Sequence, residues 1–197
     1  REVHQDDFEA IKFRPQDIRF NTSGSRMFIS MFPGSLATNG VKTFSLSTSF
    51  DISTASLLHT LYPTDSGAYD GLEFNASGTK IFFADGDEID EYTVSTAFDL
   101  SSTVTYVRSL DISNKTSQSR SLAFSDDGTT LFVLSRDPRV IYEYVLTTGF
   151  DLSSATLVDE HNINSQDDQP QGIAFNNDGT KVFVIGTGGD DVNEYTL

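Results

Sequence analysis

The sequence predicts an all-β chain folded as a four-bladed propeller, and three observations carry that expectation. A fifty-residue unit repeats four times, each unit holds about four strand-like stretches, and helical periodicity is missing throughout. The repeat shows when "DIRFNTSGSRMFIS", "GLEFNASGTKIFFA", "SLAFSDDGTTLFVL" and "GIAFNNDGTKVFVI" are aligned. Phe20, Phe74, Phe124 and Phe175 step by 54, 50 and 51 residues, and Gly24, Gly78, Gly128 and Gly179 follow in step. Self-similarity at a fixed period near fifty is the signature of propeller blades or arrays.

Within the third unit, "SLAFS" and "TLFVLS" flank a tight "DDG" reversal, followed by "VIYEYVL", the connector "FDLSS" and "ATLVDEH". Glycine supplies the positive φ that such a turn needs, and Asn or Asp before it tolerates the same region. In the repeated Phe-Asp-Leu/Ile-Ser connector, the Asp carboxylate is expected to accept from backbone N–H groups two residues on. No stretch of ten or more residues repeats its apolar positions every 3.6 residues, so essentially no helix is expected. The second strand of each unit is apolar on both faces: Met27-Phe28-Ile29, Ile81-Phe82-Phe83, Leu131-Phe132-Val133 and Val182-Phe183-Val184. A half-exposed strand would alternate, so these strands are expected to lie between two neighbours, as in stacked blades.

One domain is expected over 1–197, with blades near 17–62, 70–111, 120–162 and 171–197. The fourth unit ends after its third strand, "VNEYTL", and residues 1–6 are expected to complete that blade. Pairing strands from the two ends would close the ring and cover an exposed edge. The strand pair F-[NS]-x-x-G-T-[KT]-[LIV]-F-V resembles the YVTN, PD40 and WD40-like β-propeller repeats. That resemblance spans nearly the whole chain at the level of fold. Its relatives include lactonases, sugar lyases, scaffolds and lectins, usually of six to eight blades, so it transfers no active site.

Composition narrows the partners. The formal net charge is −16 and the pI about 4.3. Such a surface repels phosphate backbones, which argues against nucleic acid and anionic membranes. No apolar run is long enough to span a bilayer. The absence of cysteine removes disulfides and thiolate chemistry. The chain is expected to be a monomer, extracellular or surface-associated.

Function is expected where the copies differ, on the loops that share the channel-mouth face: 6–16, 62–70, 112–120 and 163–171, with 30–40, 84–88, 135–139 and 186–191. This face collects acidic residues, among them Asp6, Asp7, Asp65, Asp137, Asp167, Asp168, Asp190 and Asp191. "DGDE" sets Asp85 and Asp87 two apart, a start on the oxygen-rich shell that Ca²⁺ takes. Position four before the repeat Phe is Gln16, Asp70, Arg120 and Gln171. With Phe13, Arg14, Phe32 and Tyr69 they suggest a platform on which a glycan or protein ligand stacks and hydrogen-bonds. No catalytic residue is assigned, because His4, His59 and His161 fall in outer strands of separate blades. A non-catalytic binding module is therefore the leading expectation. A carboxylate-dependent lyase or hydrolase with or without Ca²⁺, and a structural domain of a larger surface or particle protein, are the alternatives.

Overall fold

A computed structural model describes residues 14–32, 40–63, 69–176, 180–189 and 191–196. Among these residues, fifteen strands form four antiparallel sheets in chain order. The first sheet holds β1 (Arg14–Phe20), β2 (Arg26–Phe32), β3 (Gly40–Leu46) and β4 (Ala55–Leu61); the second holds β5 (Tyr69–Phe74), β6 (Lys80–Asp85), β7 (Glu88–Val94) and β8 (Val104–Asp111). The third contains β9 (Ser119–Phe124), β10 (Thr130–Ser135), β11 (Val140–Leu146) and β12 (Ala155–Asn162). The fourth has β13 (Pro170–Phe175), β14 (Lys181–Gly186) and β15 (Val192–Thr196), three strands among the described residues. Each sheet is one blade of a propeller arrangement. The expected closing strand, residues 1–6, lies outside the described residues.

The repeat residues build the blade. Gly24, Gly78 and Gly128 sit in the first turn of their blades at φ of 67°, 69° and 73°. A Cβ at any of them would overlap the ring of Phe50, Phe98 or Phe150, the phenylalanine of the connector in the same blade. The same glycine's carbonyl accepts from that phenylalanine's N–H at 2.9–3.0 Å. Each of these phenylalanines holds a φ between 54° and 57°, rare for a bulky side chain. Two contacts hold it there: the glycine carbonyl, and the repeat ring beside it, Phe20, Phe74 or Phe124, at 5.4, 5.2 and 5.1 Å. Asp51, Asp99 and Asp151 then accept from the N–H of Ser53, Ser101 and Ser153 at 2.9–3.1 Å, the bond expected from sequence. Among the described residues, helix is confined to short 3₁₀ turns, Ile52–Thr54 and Leu152–Ser154.

The three larger core clusters among the described residues lie at the seams between blades, and a smaller one, Met27, Phe44 and Leu46, lies on the first blade. Phe28 and Val41 of the first blade pack on Leu72, Phe74, Ile81 and Phe83 of the second. Phe82, Ala84 and Ile89 meet Leu122, Leu131 and Val133, and Phe132, Leu134 and Ile141 meet Ile173, Val182 and Val184. This is why β6 and β10 are apolar on both faces: each is buried from two sides. The innermost strands line up, with β1 beside β5, β5 beside β9, and β9 beside β13. No comparable interface joins β13 back to β1 among the described residues.

Candidate functional site

Each innermost strand carries a β-bulge at the same place. The register slips between Pro15 and Asp17, Tyr69 and Gly71, Ser119 and Ser121, and Pro170 and Gly172. The residues set out of register are Gln16, Asp70, Arg120 and Gln171, the four positions that the sequence singled out. A bulge adds one residue to one strand and re-aims its side chain, and bulges are common beside functional sites. Here they bring Asp70 and Arg120 together across the seam between the second and third blades, Arg120 Nη1 donating to Asp70 Oδ2 at 2.5 Å. Burial pushes the Asp70 carboxyl up, against the pull of Arg120 and of Arg136. Gln16 instead donates to the carbonyl of its neighbour Arg14, which is exposed, and Gln171 is half-buried.

The aromatic platform takes a different form. Tyr69 is only 1% exposed, its ring 4.8 Å from that of Phe83, so it belongs to the core of the second blade. Phe13 lies outside the described residues, and of Phe32 only the backbone in β2 is described. Asp85 ends β6, and Asp87 occupies the turn after Gly86, its carbonyl accepting from Ile112 N–H at 2.9 Å. Among the described residues no group of three or more His, Asp or Glu side chains is placed to share a metal ion. His59 and His161 fall in β4 and β12, outer strands of different blades, as expected.

A polar groove lies on the same loop face, at the junction of the third and fourth blades. It encloses about 390 Å³ and is lined by Gln118, Arg136, Asp137, Arg139, Asp168 and Gln169. Its floor is tied down by buried hydroxyls: Ser135 Oγ donates to Thr116 Oγ1 at 2.7 Å and lies 2.8 Å from the Asp137 carbonyl. Thr116 Oγ1 also donates to the Asp137 carbonyl at 2.8 Å. Arg139 holds a φ of 68°, and its carbonyl accepts from Ile163 N–H at 3.0 Å. The two arginines bridge to the connector between blades. Arg136 Nη2 donates to Gln169 Oε1 at 3.1 Å, while Arg139 donates to the Asp168 carbonyl and Asn164 Oδ1 at 2.9 and 3.1 Å. Loops 135–139 and 163–171 share a face in the sequence expectation, and Arg136 and Arg139 are not among the residues it singles out. Two arginines in a four-residue loop of a chain this acidic were the available signal.

No family model matches the chain, and no curated protein matches it. Solved structures do match. The periplasmic gluconolactonase PpgL of Pseudomonas aeruginosa superposes with a TM-score of 0.63 at 17% identity, over 93% of this chain and 50% of the other. The Cps50 (Swd1) β-propeller domain of Myceliophteria thermophila gives 0.60 at 13%, over 94% and 55%. A chain of the nidogen/laminin complex gives 0.64 at 11%, over 94% and 61%. At these identities the likeness is one of fold: the chain is a β-propeller protein. It spans about half the length of the structures it matches.

Proposed function

We propose that the protein is a non-catalytic binding module that takes a glycan in the polar groove at the third and fourth blades. The observation that supports this is the lining itself. Arg136 and Arg139, which donate, share one open groove with Asp137 and Asp168, which accept, and with the amides of Gln118 and Gln169. A sugar hydroxyl both donates and accepts, so a surface that offers both suits it. A guanidinium has five N–H donors, and the bonds to Gln169, Asp168 and Asn164 use only some of them. The net charge of −16 disfavours acidic glycans, which points to neutral ones. A protein segment offering carbonyls and amides is the other ligand of this chemistry.

The test is calorimetric titration of the protein with a panel of neutral and acidic oligosaccharides. Arg136→Ala and Arg139→Asn are the variants, Asn being chosen because it tolerates a positive φ. Binding of a neutral glycan that falls at least tenfold in both variants, with unchanged melting temperature, supports the reading. Undiminished binding in both variants removes the groove from consideration.

A hydrolase at the channel mouth is the second reading, supported by the fold likeness to a gluconolactonase and by the Asp70 carboxyl held up by burial. It requires lactone hydrolysis that disappears in Asp70→Asn. Equal rates in the two proteins exclude Asp70 from any such role.

A further inference from the structure

The repeats provide an internal standard for the loop that enters a blade, and the fourth blade departs from it at a buried position. In the third blade two hydroxyls hold that loop. Thr116 Oγ1 accepts from Gln118 N–H at 2.9 Å and from Ser135 Oγ at 2.7 Å. Asp167 stands in the fourth blade where Thr116 stands in the third. Its N–H donates to the Ile163 carbonyl at 3.1 Å, as that of Thr116 does to the Ile112 carbonyl at 3.0 Å. Its Oδ1 accepts from Gln169 N–H at 2.6 Å. Gly186 takes the place of Ser135, since it pairs with Pro170 as Ser135 pairs with Ser119. A hydroxyl pair has thus been exchanged for a carboxylate and a glycine. The exchange removes a donor and adds a negative charge.

The donor is not replaced. Asp167 is 2% exposed, and its Oδ2 has no hydrogen-bond partner among the described residues. Gln169 N–H and Gly188 N–H, the latter at 3.3 Å, both go to Oδ1. Arg139 bonds to the Asp168 carbonyl and to Asn164, not to the Asp167 carboxylate. A buried polar atom without a partner is rare in native proteins and calls for a water or an ion, and a buried charge is normally paired or bound to metal. Two glycines leave the space beside it. A Cβ at Gly186 would overlap Asp167 Oδ2 and stand 2.6 Å from the Gln169 carbonyl oxygen. A Cβ at Gly188 would overlap Asp168 Oδ1 and stand 2.8 Å from Asp167 Oδ1. The nearest atoms at both points belong to the two carboxylates and that carbonyl.

We propose that Asp167, Asp168 and the Gln169 carbonyl bind a Ca²⁺ ion, with Asp167 Oδ2 as its buried anchor. Ca²⁺ takes about six to eight oxygens from carboxylates, backbone carbonyls and water, in flexible geometry. Two carboxylates and one carbonyl leave the rest of the shell to water, which reaches the loop on the exposed side of Asp168 and Gly188. Mg²⁺ fits less well, because it demands a near-ideal octahedron and gives up water reluctantly. The site is separate from Asp85 and Asp87 of the second blade, and it does not depend on what the neighbouring polar groove takes.

The experiment is calorimetric titration of the chelator-washed 197-residue chain with CaCl₂ and, separately, with MgCl₂ at matched ionic strength. One Ca²⁺ per chain is expected, bound at least tenfold more tightly than Mg²⁺. Two variants locate it. Asp167→Thr combined with Gly186→Ser rebuilds the hydroxyl pair of the third blade, which keeps the loop supported while removing the buried carboxylate. This variant is expected to bind Ca²⁺ at least tenfold more weakly and to melt at one temperature in Ca²⁺ and in chelator, where the parent melts higher in Ca²⁺. Asp168→Asn changes an exposed side chain and leaves the core untouched, and it too is expected to weaken Ca²⁺ binding severalfold. A parent chain that takes up no Ca²⁺, or takes up Mg²⁺ equally well, overturns the proposal. Parent-like affinity in either variant overturns it as well, and moves any bound Ca²⁺ elsewhere on the acidic face.

Discussion

At Gly128 the backbone conformation and the available space impose the same requirement. Its φ of 73° lies where L side chains are strained, and the Phe150 ring occupies the volume that a Cβ would need. Gly128→Ala is expected to destabilise the protein by roughly 1–3 kcal/mol, from backbone strain plus overpacking. Urea unfolding followed by circular dichroism measures it, and a loss well under 1 kcal/mol would mean that the connector can lift away freely. Beside it, Asp127 accepts from Thr129 N–H, Thr129 Oγ1 and Ser125 Oγ at 3.0, 2.7 and 2.8 Å. These bonds favour the carboxylate and hold its pKa down at about 2. A depressed folded-state pKa contributes stability that is present above the ordinary value of 3.8 and disappears as pH falls through about 2. A carboxyl-carbon NMR titration should therefore show Asp127 titrating near 2, and Asn in its place should lessen the loss of stability over that interval. Both residues were readable in the sequence, because the turn is local and its chemistry lies within a few positions.

Blades are joined by contacts between residues far apart in the chain, and these were harder to read. Glu91 was one letter in "DEYTV", yet it is 1% exposed and ties Lys80, Arg108 and the backbone of Leu152 into one seam. Breaking a buried, hydrogen-bonded charge by removing one partner costs roughly 3–5 kcal/mol. Glu91→Ala is expected to reach that range, whereas Glu194→Ala, at the exposed Lys181–Glu194 pair of the fourth blade, should cost under about 1 kcal/mol. Equal losses at the two positions would show that burial at the seam is not what gives Glu91 its weight. Tyr69 marks the opposite error. An aromatic residue at the start of a strand reads in the sequence as part of a ligand platform, and it is core because the neighbouring blade covers it. Periodicity gave the strands, their order and the doubly buried β6 and β10, since these depend on local pattern. Which charges a seam buries depends on the blade across it, and no single repeat records that.

The whole molecule carries sixteen more negative than positive charges, and among the described residues many ion pairs join neighbouring blades. Salt therefore acts in two opposite directions. Screening weakens the mutual repulsion of exposed carboxylates, which stabilises the compact state, and it weakens ion pairs, which destabilises it. The screening length falls from about 30 Å at 0.01 M to about 8 Å at 0.15 M, and buried pairs are screened far less than exposed charges. Arg120–Asp70 and the Glu91 pairs are partly or wholly shielded, while much of the excess acid lies at exposed positions such as Asp87, Asp126, Asp159 and Asp168. Relief of repulsion should therefore dominate, and the melting temperature is expected to rise as NaCl goes from 0.01 to 0.15 M. A fall would place the balance with the seam ion pairs. The same melt repeated with CaCl₂ at matched ionic strength separates general screening from a specific site. Ca²⁺ bound only by the native state adds about 2.7 kcal/mol at a hundredfold excess over its dissociation constant. An additional rise that chelator reverses, and that Asp85→Asn with Asp87→Asn abolishes, would establish the cation site that the acidic loops suggest. Superimposable curves at matched ionic strength would leave the acidity with an electrostatic role alone.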